Sequence, residues 1–81
     1  MKIRVLGFAS AGEALGAPEV ELEVPADSSL GDLEGPLLAA YPSLAKIFPR
    51  LALAVDGELA AADRPLRPGC EVALLPPVSG G

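Results

Sequence analysis

The chain has 81 residues, of which 51% are hydrophobic, with a net charge of −5 and one cysteine. A domain of this length buries only about 60% of the surface that its unfolded chain exposes, which leaves no room for a large internal active site. A basic stripe for phosphates is absent, which argues against a nucleic-acid partner. A single cysteine excludes a disulfide framework and favours a reducing, cytoplasmic location.

No membrane partner is expected, because no apolar run approaches the roughly 20 residues that span a bilayer. The apolar stretch after Lys2 and Arg4 is also shorter than the ~7–15 residues of a secretion signal. The chain contains nine prolines and no Asn, Gln or Thr. Missing amides and abundant loop proline predict a thermophilic source.

Two strands are predicted first. Lys2 to Phe8 is the first, and Glu19 to Val24 alternates strictly between glutamate and an aliphatic residue. Strict alternation is typical of a strand with one face on a core and the other in water. We expect these strands to form a hairpin joined by a loop from Ala9 to Pro18.

A helix follows the hairpin. Ser29 and Asp32 have the spacing of a capping box. The residues that share one face at helical spacing are Leu30, Leu33, Leu37 and Tyr41. Pro36 lacks a backbone donor and crowds the preceding turn, which predicts a kink or two abutting short helices before Pro42 ends the segment. One further turn is possible from Ser43 to Phe48.

Three strands are predicted in the second half, at Leu51 to Val55, Leu59 to Ala61 and Glu71 to Leu75. With the first and last strands adjacent and parallel in the middle of the sheet, the fold class is α+β. The arrangement is a ubiquitin-like β-grasp, with a mixed sheet of four to five strands packed on one main helix. We expect a β-grasp domain over residues 1–75 and a flexible tail over 76–81.

Side chains for stand-alone catalysis are lacking. The chain has no histidine, the usual proton shuttle near neutral pH. Cys70 stands at a strand start beside Glu71 and is best interpreted as a small core residue. Glu19, Glu21 and Glu23 form a solvated strand face rather than a metal site. The chain is therefore not expected to act as an enzyme on its own or to bind a metal or cofactor.

The C-terminal sequence Pro-Pro-Val-Ser-Gly-Gly is the strongest functional signal. From Leu75 to Gly81 an extended chain reaches roughly 20 Å, enough to enter a partner's pocket. Pro76 and Pro77 restrict the unbound tail, so that less entropy is lost when it enters a channel. Gly80 and Gly81 lack a Cβ and can pass where a side chain would clash.

An α-carboxylate there is a poor electrophile until adenylation by ATP activates it. Sulfide would then give a thiocarboxylate, and an amine would give an isopeptide bond.

These residues resemble a known family. The matching positions are Phe8-Ala9, Glu13, Gly16, Ala54-Val55, Pro65-Leu66, Gly69, Glu71-Val72-Ala73 and the Pro76–Gly81 ending. Together they resemble the small subunit of molybdopterin synthase, a ubiquitin-like sulfur carrier, over nearly the whole chain. The sequence departs from that family at Gly12, where Arg is common, at Asp56, where Asn is common, and at Cys70, where Asp is common.

The resemblance implies a cycle of reactions. An E1-like activating enzyme that uses ATP and Mg would adenylate Gly81, and a sulfur donor such as a cysteine desulfurase would supply the sulfur of the thiocarboxylate. The tail, with Pro76, Pro77, Val78 and Ser79 in contact with the partner and Gly80 before the reactive group, would enter the large synthase subunit. That subunit binds cyclic pyranopterin monophosphate, and two sulfurs delivered in turn would form the dithiolene of molybdopterin. The working complex of the family is a heterotetramer.

A partner surface is also expected. Leu6, Phe8, Ala73 and Leu75 fall on the sheet face opposite the predicted helix, and exposed apolar groups beside a tail suit docking. Three other functions stay open. The chain could carry sulfur for thiamine or tRNA thiolation, it could be a ubiquitin-like modifier joined to lysines, or it could be a pure binding module.

Overall fold

The computed structural model describes residues 1–77. It contains five strands: β1 (Lys2–Gly7), β2 (Glu19–Glu23), β3 (Ala52–Val55), β4 (Glu58–Leu59) and β5 (Glu71–Leu75). The α-helices are α1 (Ser10–Leu15) and α2 (Glu34–Ala40). A 3₁₀ turn at Leu30–Leu33 precedes α2, and two more follow it at Pro42–Leu44 and Phe48–Arg50. The predicted β-grasp fold is confirmed.

The five strands form one mixed sheet in the order β2-β1-β5-β3-β4. β1 and β5 are adjacent and parallel, with Leu6 opposite Ala73. β2 lies antiparallel to β1, and β3 lies antiparallel to β5 with Ala52 opposite Leu75. The C-terminal ends of β1 and β5 and the first residue of β3 therefore meet at one edge of the sheet, and the tail leaves from that edge.

The core lies between one face of the sheet and the helices. Its most deeply buried side chains are Ile3, Val5, Leu33, Leu37, Leu44, Val55, Val72 and Leu74. Alternation along β1 and β5 sends every second residue into this core, as the strand period requires. Burial of each aliphatic side chain contributes about 1.5–3 kcal/mol, so aliphatic packing stabilises this domain with little help from aromatics.

The main helical segment begins as predicted. The backbone N–H of Ser29 donates to the Asp32 carboxylate at 2.9 Å, and the Ser29 hydroxyl donates to the same oxygen at 3.0 Å. These two hydrogen bonds, the backbone one foremost, hold the pKa of Asp32 below its ordinary value. The 3₁₀ turn Leu30–Leu33 runs directly into α2, which confirms two abutting short helices. Pro36 lies in the first turn of α2, where a helix needs no N–H donor.

The prediction of a loop from Ala9 to Pro18 is wrong, because this segment contains α1. Ala11 and Leu15 lie one helical turn apart and are both buried in the core. Gly16 ends the helix with φ 78°, a left-handed conformation that glycine adopts without strain. Gly12 packs against β1 so closely that a Cβ there would lie 2.8 Å from the Gly7 carbonyl oxygen. Burial of two residues and a backbone contact thus stabilise a six-residue helix that has weak propensity by itself.

The other boundaries differ slightly from expectation. The fourth strand is Glu58–Leu59 rather than Leu59 to Ala61, because the Asp56-Gly57 turn places Glu58 directly opposite Val55. The expected turn after Pro42 is divided into two 3₁₀ turns, of which the second includes Pro49. Within residues 1–77, no helix is long and apolar enough to cross a membrane.

Candidate functional site: the sheet edge at the tail

The outer face of the sheet carries two kinds of side chain. Near the middle of β1, Arg4 approaches Glu19 of β2 at 3.9 Å and Glu71 of β5 at 3.3 Å, so the outer face is charged here. Both pairs are exposed to solvent and contribute little to stability. Towards the end where β1 and β5 finish, the outer face of these two strands becomes apolar, while β2 stays charged with Glu19 opposite Leu6. The polarity therefore changes along β1 and β5, with the apolar half beside the tail and Glu19 at its border.

This apolar half consists of Leu6, Phe8, Ala73 and Leu75, which we call the outer apolar patch. Leu6 and Ala73 are register partners on neighbouring strands, and Leu75 follows on the same side of β5. All three are half-buried, whereas Phe8 just after β1 is 49% exposed. The N–H of Phe8 donates to the Leu74 carbonyl at 3.4 Å, so that Phe8 lies level with the last residue of β5. The structure thus brings together the four residues named from the sequence.

The tail begins directly at this patch. β5 ends at Leu75, and Pro76 and Pro77 follow without regular structure, the first half-buried and the second exposed. The remaining residues named from the sequence, Val78, Ser79, Gly80 and Gly81, lie outside the described residues. The division into a domain over 1–75 and a tail over 76–81 stays a prediction.

β3 extends the outer face beyond the patch. Ala52 lies opposite Leu75 and Ala54 lies opposite Ala73. Sequence reasoning missed these two residues, because the alternation of leucine and alanine from 51 to 55 was interpreted only as a buried strand. The alternation itself carries the signal, since it predicts one strand face with small side chains. Ala52 is exposed whereas Ala54 is only 6% exposed, so that of the two only Ala52 extends the surface open to a partner.

Two grooves lie elsewhere in the described part of the chain. One, of about 480 Å³, is at the β3–β4 edge beside the start of the helical segment and includes Leu30, Phe48 and Leu53 in its lining. The other, of about 260 Å³, lies beside Cys70 and includes Arg64 and Arg67. Neither is lined by a residue of the outer apolar patch. No group of three or more potential metal ligands occurs among residues 1–77.

Both the sequence and the fold of this chain match known proteins. The sequence model of the ThiS family matches residues 5–81. The chain belongs to the ThiS family. The molybdopterin synthase sulfur carrier subunit of Caenorhabditis briggsae is 39% identical to it, in an alignment that covers 100% of this chain and 99% of that protein.

Some proteins similar to this chain are named as protein modifiers rather than as sulfur carriers. Small archaeal modifier protein 1 of Haloferax volcanii is 33% identical over 91% of this chain and 94% of that protein. A crystal structure of SAMP1 from the same organism superposes with a TM-score of 0.88 at 31% identity, covering 100% of both chains. A chain in the complex of subunits 1 and 2 of molybdopterin-converting factor from Helicobacter pylori has a TM-score of 0.74 at 24% identity, covering 100% of both chains. At that identity the likeness shows the fold alone.

Three residues of this ThiS-family chain differ from those expected from the resemblance, and the structure shows the surroundings of each. Gly12 lies in the close contact between α1 and β1. Asp56 has φ 48°, a conformation that Asp and Asn tolerate better than other residues, and its carboxylate accepts a hydrogen bond from the Glu71 N–H at 3.0 Å. Cys70 is 6% exposed and belongs to the core cluster, which confirms the structural interpretation of this thiol.

Proposed function

We propose that this chain is the sulfur carrier subunit of a molybdopterin synthase, with the carboxyl group of Gly81 as the sulfur-carrying group. The observation that carries the proposal is an alignment over the whole chain with a carrier of that name. The outer apolar patch supports it, because the patch lies where the Pro-Pro-Val-Ser-Gly-Gly sequence leaves the sheet.

The first half of the cycle activates the carboxylate. A carboxylate oxygen of Gly81 attacks the α-phosphorus of ATP on an E1-like enzyme that holds Mg, and pyrophosphate leaves. A persulfide sulfur from a donor such as a cysteine desulfurase then attacks the acyl carbon and AMP leaves, with reductive cleavage of the sulfur–sulfur bond by a thiol. The product is a thiocarboxylate. Gly80 and Gly81 suit these steps, since both lack a Cβ that would crowd the acyl carbon.

The second half of the cycle transfers sulfur. The tail enters the large synthase subunit, where Pro76, Pro77, Val78 and Ser79 contact the channel and the thiocarboxylate meets cyclic pyranopterin monophosphate. The thiocarboxylate sulfur displaces an oxygen substituent from a carbon of the pterin precursor, which gives a thioester. Water then attacks the Gly81 acyl carbon and breaks its bond to sulfur, so that the sulfur stays on the pterin and the Gly81 carboxylate is restored. Two carriers in a heterotetramer supply the two sulfurs of the dithiolene. The pterin site belongs to the large subunit, so the chain does not catalyse on its own. We place this cycle in the cytoplasm, in keeping with the single cysteine.

The outer apolar patch is the proposed docking surface for the large subunit. A Leu75→Glu variant tests it, because a charge would replace a leucine that the partner covers. We expect affinity for the large subunit to fall by about tenfold or more. Ala39→Glu on the exposed side of α2 is the matched control and keeps wild-type affinity. Unchanged affinity of a folded Leu75→Glu variant in titration calorimetry would remove the patch from the interface.

A protein modifier is the second candidate function. The 33% identity with small archaeal modifier protein 1 favours it over a generic binding module. The same activated Gly81 would then react with a lysine amine rather than with sulfur. A ladder of isopeptide-linked products in cells of the source organism would support this function.

Deletion of Gly80 and Gly81 tests the sulfur carrier function directly. The truncated chain retains the whole outer apolar patch, so it should still bind the large subunit while sulfur transfer is lost entirely. Purified truncated and full-length chains are compared in molybdopterin formation and in binding. Molybdopterin formation by the truncated chain at the full-length rate would show that Gly81 is not the sulfur-carrying group.

A further inference from the structure

Ala9 has a backbone conformation that alanine rarely adopts. Its φ is 50° and its ψ is −122°, at the boundary between β1 and α1. The Ala11 N–H donates to the Phe8 carbonyl at 3.0 Å, which closes a turn from Phe8 to Ala11. These angles match the first central position of a type II′ turn, where glycine is strongly preferred because it has no Cβ.

Ala9 also breaks a second local rule. It is the N-cap residue of α1, and its side chain cannot accept a hydrogen bond from the first helical turn. Ser, Thr, Asp, Asn and Gly are preferred at this position, and alanine is among the poorest choices. Glycine would satisfy both the turn and the cap better than alanine does.

The surroundings hold the strained conformation in place. The Glu13 N–H donates to the Ala9 carbonyl at 3.1 Å, and Ala11 next along α1 is fully buried. The close approach of α1 to Gly7 prevents the turn from shifting inward, towards β1. Strain of this kind persists only where the neighbouring structure determines it, and it concentrates at binding sites.

Ala9 belongs neither to the core cluster nor to the hydrophobic residues packed against it. Ala9 is exposed, and it directly follows Phe8, the most exposed residue of the outer apolar patch. Residues that break local rules without a gain inside the fold are expected at functional positions. Whatever covers Phe8 and the start of the tail at Pro76 must also pass close to Ala9.

We propose that the Ala9 methyl group is part of the surface that docks onto the large synthase subunit, and that this contact accounts for alanine in a turn suited to glycine. The inference rests on the proposed function and deepens it. The outer apolar patch then continues beyond the sheet onto the β1–α1 turn. A partner that takes the tail contacts the Phe8 ring and the Ala9 methyl group together.

The experiment measures two quantities that change in opposite directions. Ala9→Gly relieves the strained turn, so the melting temperature of the carrier alone stays equal or rises. Loss of one buried methyl group weakens binding to the large subunit about fourfold. Asp27→Gly is the matched control, since Asp27 also has a positive φ, of 65°, but lies after β2 at the opposite end of the sheet. It should keep wild-type affinity.

A larger substitution enlarges the effect. Ala9→Arg should weaken binding by roughly tenfold or more, because a long side chain prevents close approach of the partner. Ala40→Arg at the exposed end of α2 should leave binding unchanged.

Wild-type affinity in both Ala9 variants would overturn the inference while leaving the sulfur carrier function intact. A fall in the melting temperature of Ala9→Gly that parallels its loss of affinity would also overturn it, by showing a purely structural role. Failure of the wild-type carrier itself to bind the large subunit would instead contradict the proposed function, and this inference with it.

Discussion

Gly12 is the residue at which α1 touches β1, and its side-chain position is filled by the backbone of Gly7. A Cβ added at Gly12 would lie 2.8 Å from the Gly7 carbonyl oxygen, and neither backbone can move without displacing the buried Ala11. We expect Gly12→Ala to lower the free energy of unfolding by about 1–3 kcal/mol. Denaturant unfolding measures this change.

Gly35→Ala is the matched control for Gly12. Gly35 lies in α2 with no atom within 4 Å of an added Cβ. Alanine there should keep the free energy of unfolding or raise it by up to about 1 kcal/mol, because alanine has the higher helix propensity. Equal effects of the two substitutions would contradict the steric interpretation of Gly12.

The burial of a single residue was predictable where the chemistry of its side chain and its sequence neighbours decide it. The burial of Cys70 followed from a lone thiol at a strand start beside the acidic Glu71. The setting of Gly12 was not predictable, because it depends on the distance between two elements far from any sequence motif. The positive φ of Ala9 was not predictable either, because alanine gives no sequence signal for that conformation.

At the scale of the element, the capping box at Ser29 and Asp32 makes the stability of the helical segment depend on pH. The pKa of Asp32 is lowered by the donors of Ser29, so the folded state favours the carboxylate. The stabilisation is therefore present above the unfolded pKa of aspartate, about 4, and is lost as the pH falls through the lower folded pKa. Asp32→Asn cannot titrate and should lose less stability on acidification than the wild type.

Thermal unfolding between neutral pH and about pH 2 measures this difference. Asp63→Asn, which changes an exposed loop aspartate, should follow the wild-type profile. Identical pH profiles for the wild type and Asp32→Asn would contradict a stabilising role for the capping box.

Elements with a strong local signal were predicted correctly, and elements held by packing were not. The alternation of β2 and the Ser29–Asp32 spacing each identify their element directly. α1 has only six residues and a central glycine, so its helical period is too short to recognise. Burial of Ala11 and Leu15 against the sheet stabilises it, and that contact is visible only in the fold.

For the whole molecule, the composition predicts high thermal stability. Nine prolines lie outside the strands, where they reduce the conformational freedom of the unfolded chain without breaking the sheet. We expect a melting temperature above the ~45–65 °C range of mesophilic domains. Calorimetry of the full chain measures it, and an ordinary melting temperature would contradict a thermophilic source.

The order of the elements was enough to predict the centre of the sheet, with β1 beside β5, but not the bounds of β4. A hairpin, a crossing helix and a final strand place β1 beside β5 almost by necessity, and the register then sets Leu6 opposite Ala73. The outer apolar patch was predictable for this reason. Its extension onto Ala52 and Ala9 was not, because small residues carry no hydrophobic signal of their own.

The central claim is that Gly81 carries sulfur for molybdopterin synthesis, and the intact mass of the chain tests it most directly. After incubation with an activating enzyme, ATP, Mg and a sulfide source, the mass should rise by the difference between one sulfur and one oxygen atom. Addition of the large subunit and cyclic pyranopterin monophosphate should then remove that gain as molybdopterin forms. No gain with an enzyme that thiolates a known carrier would contradict the claim, and so would a gain that persists when the large subunit and precursor are present.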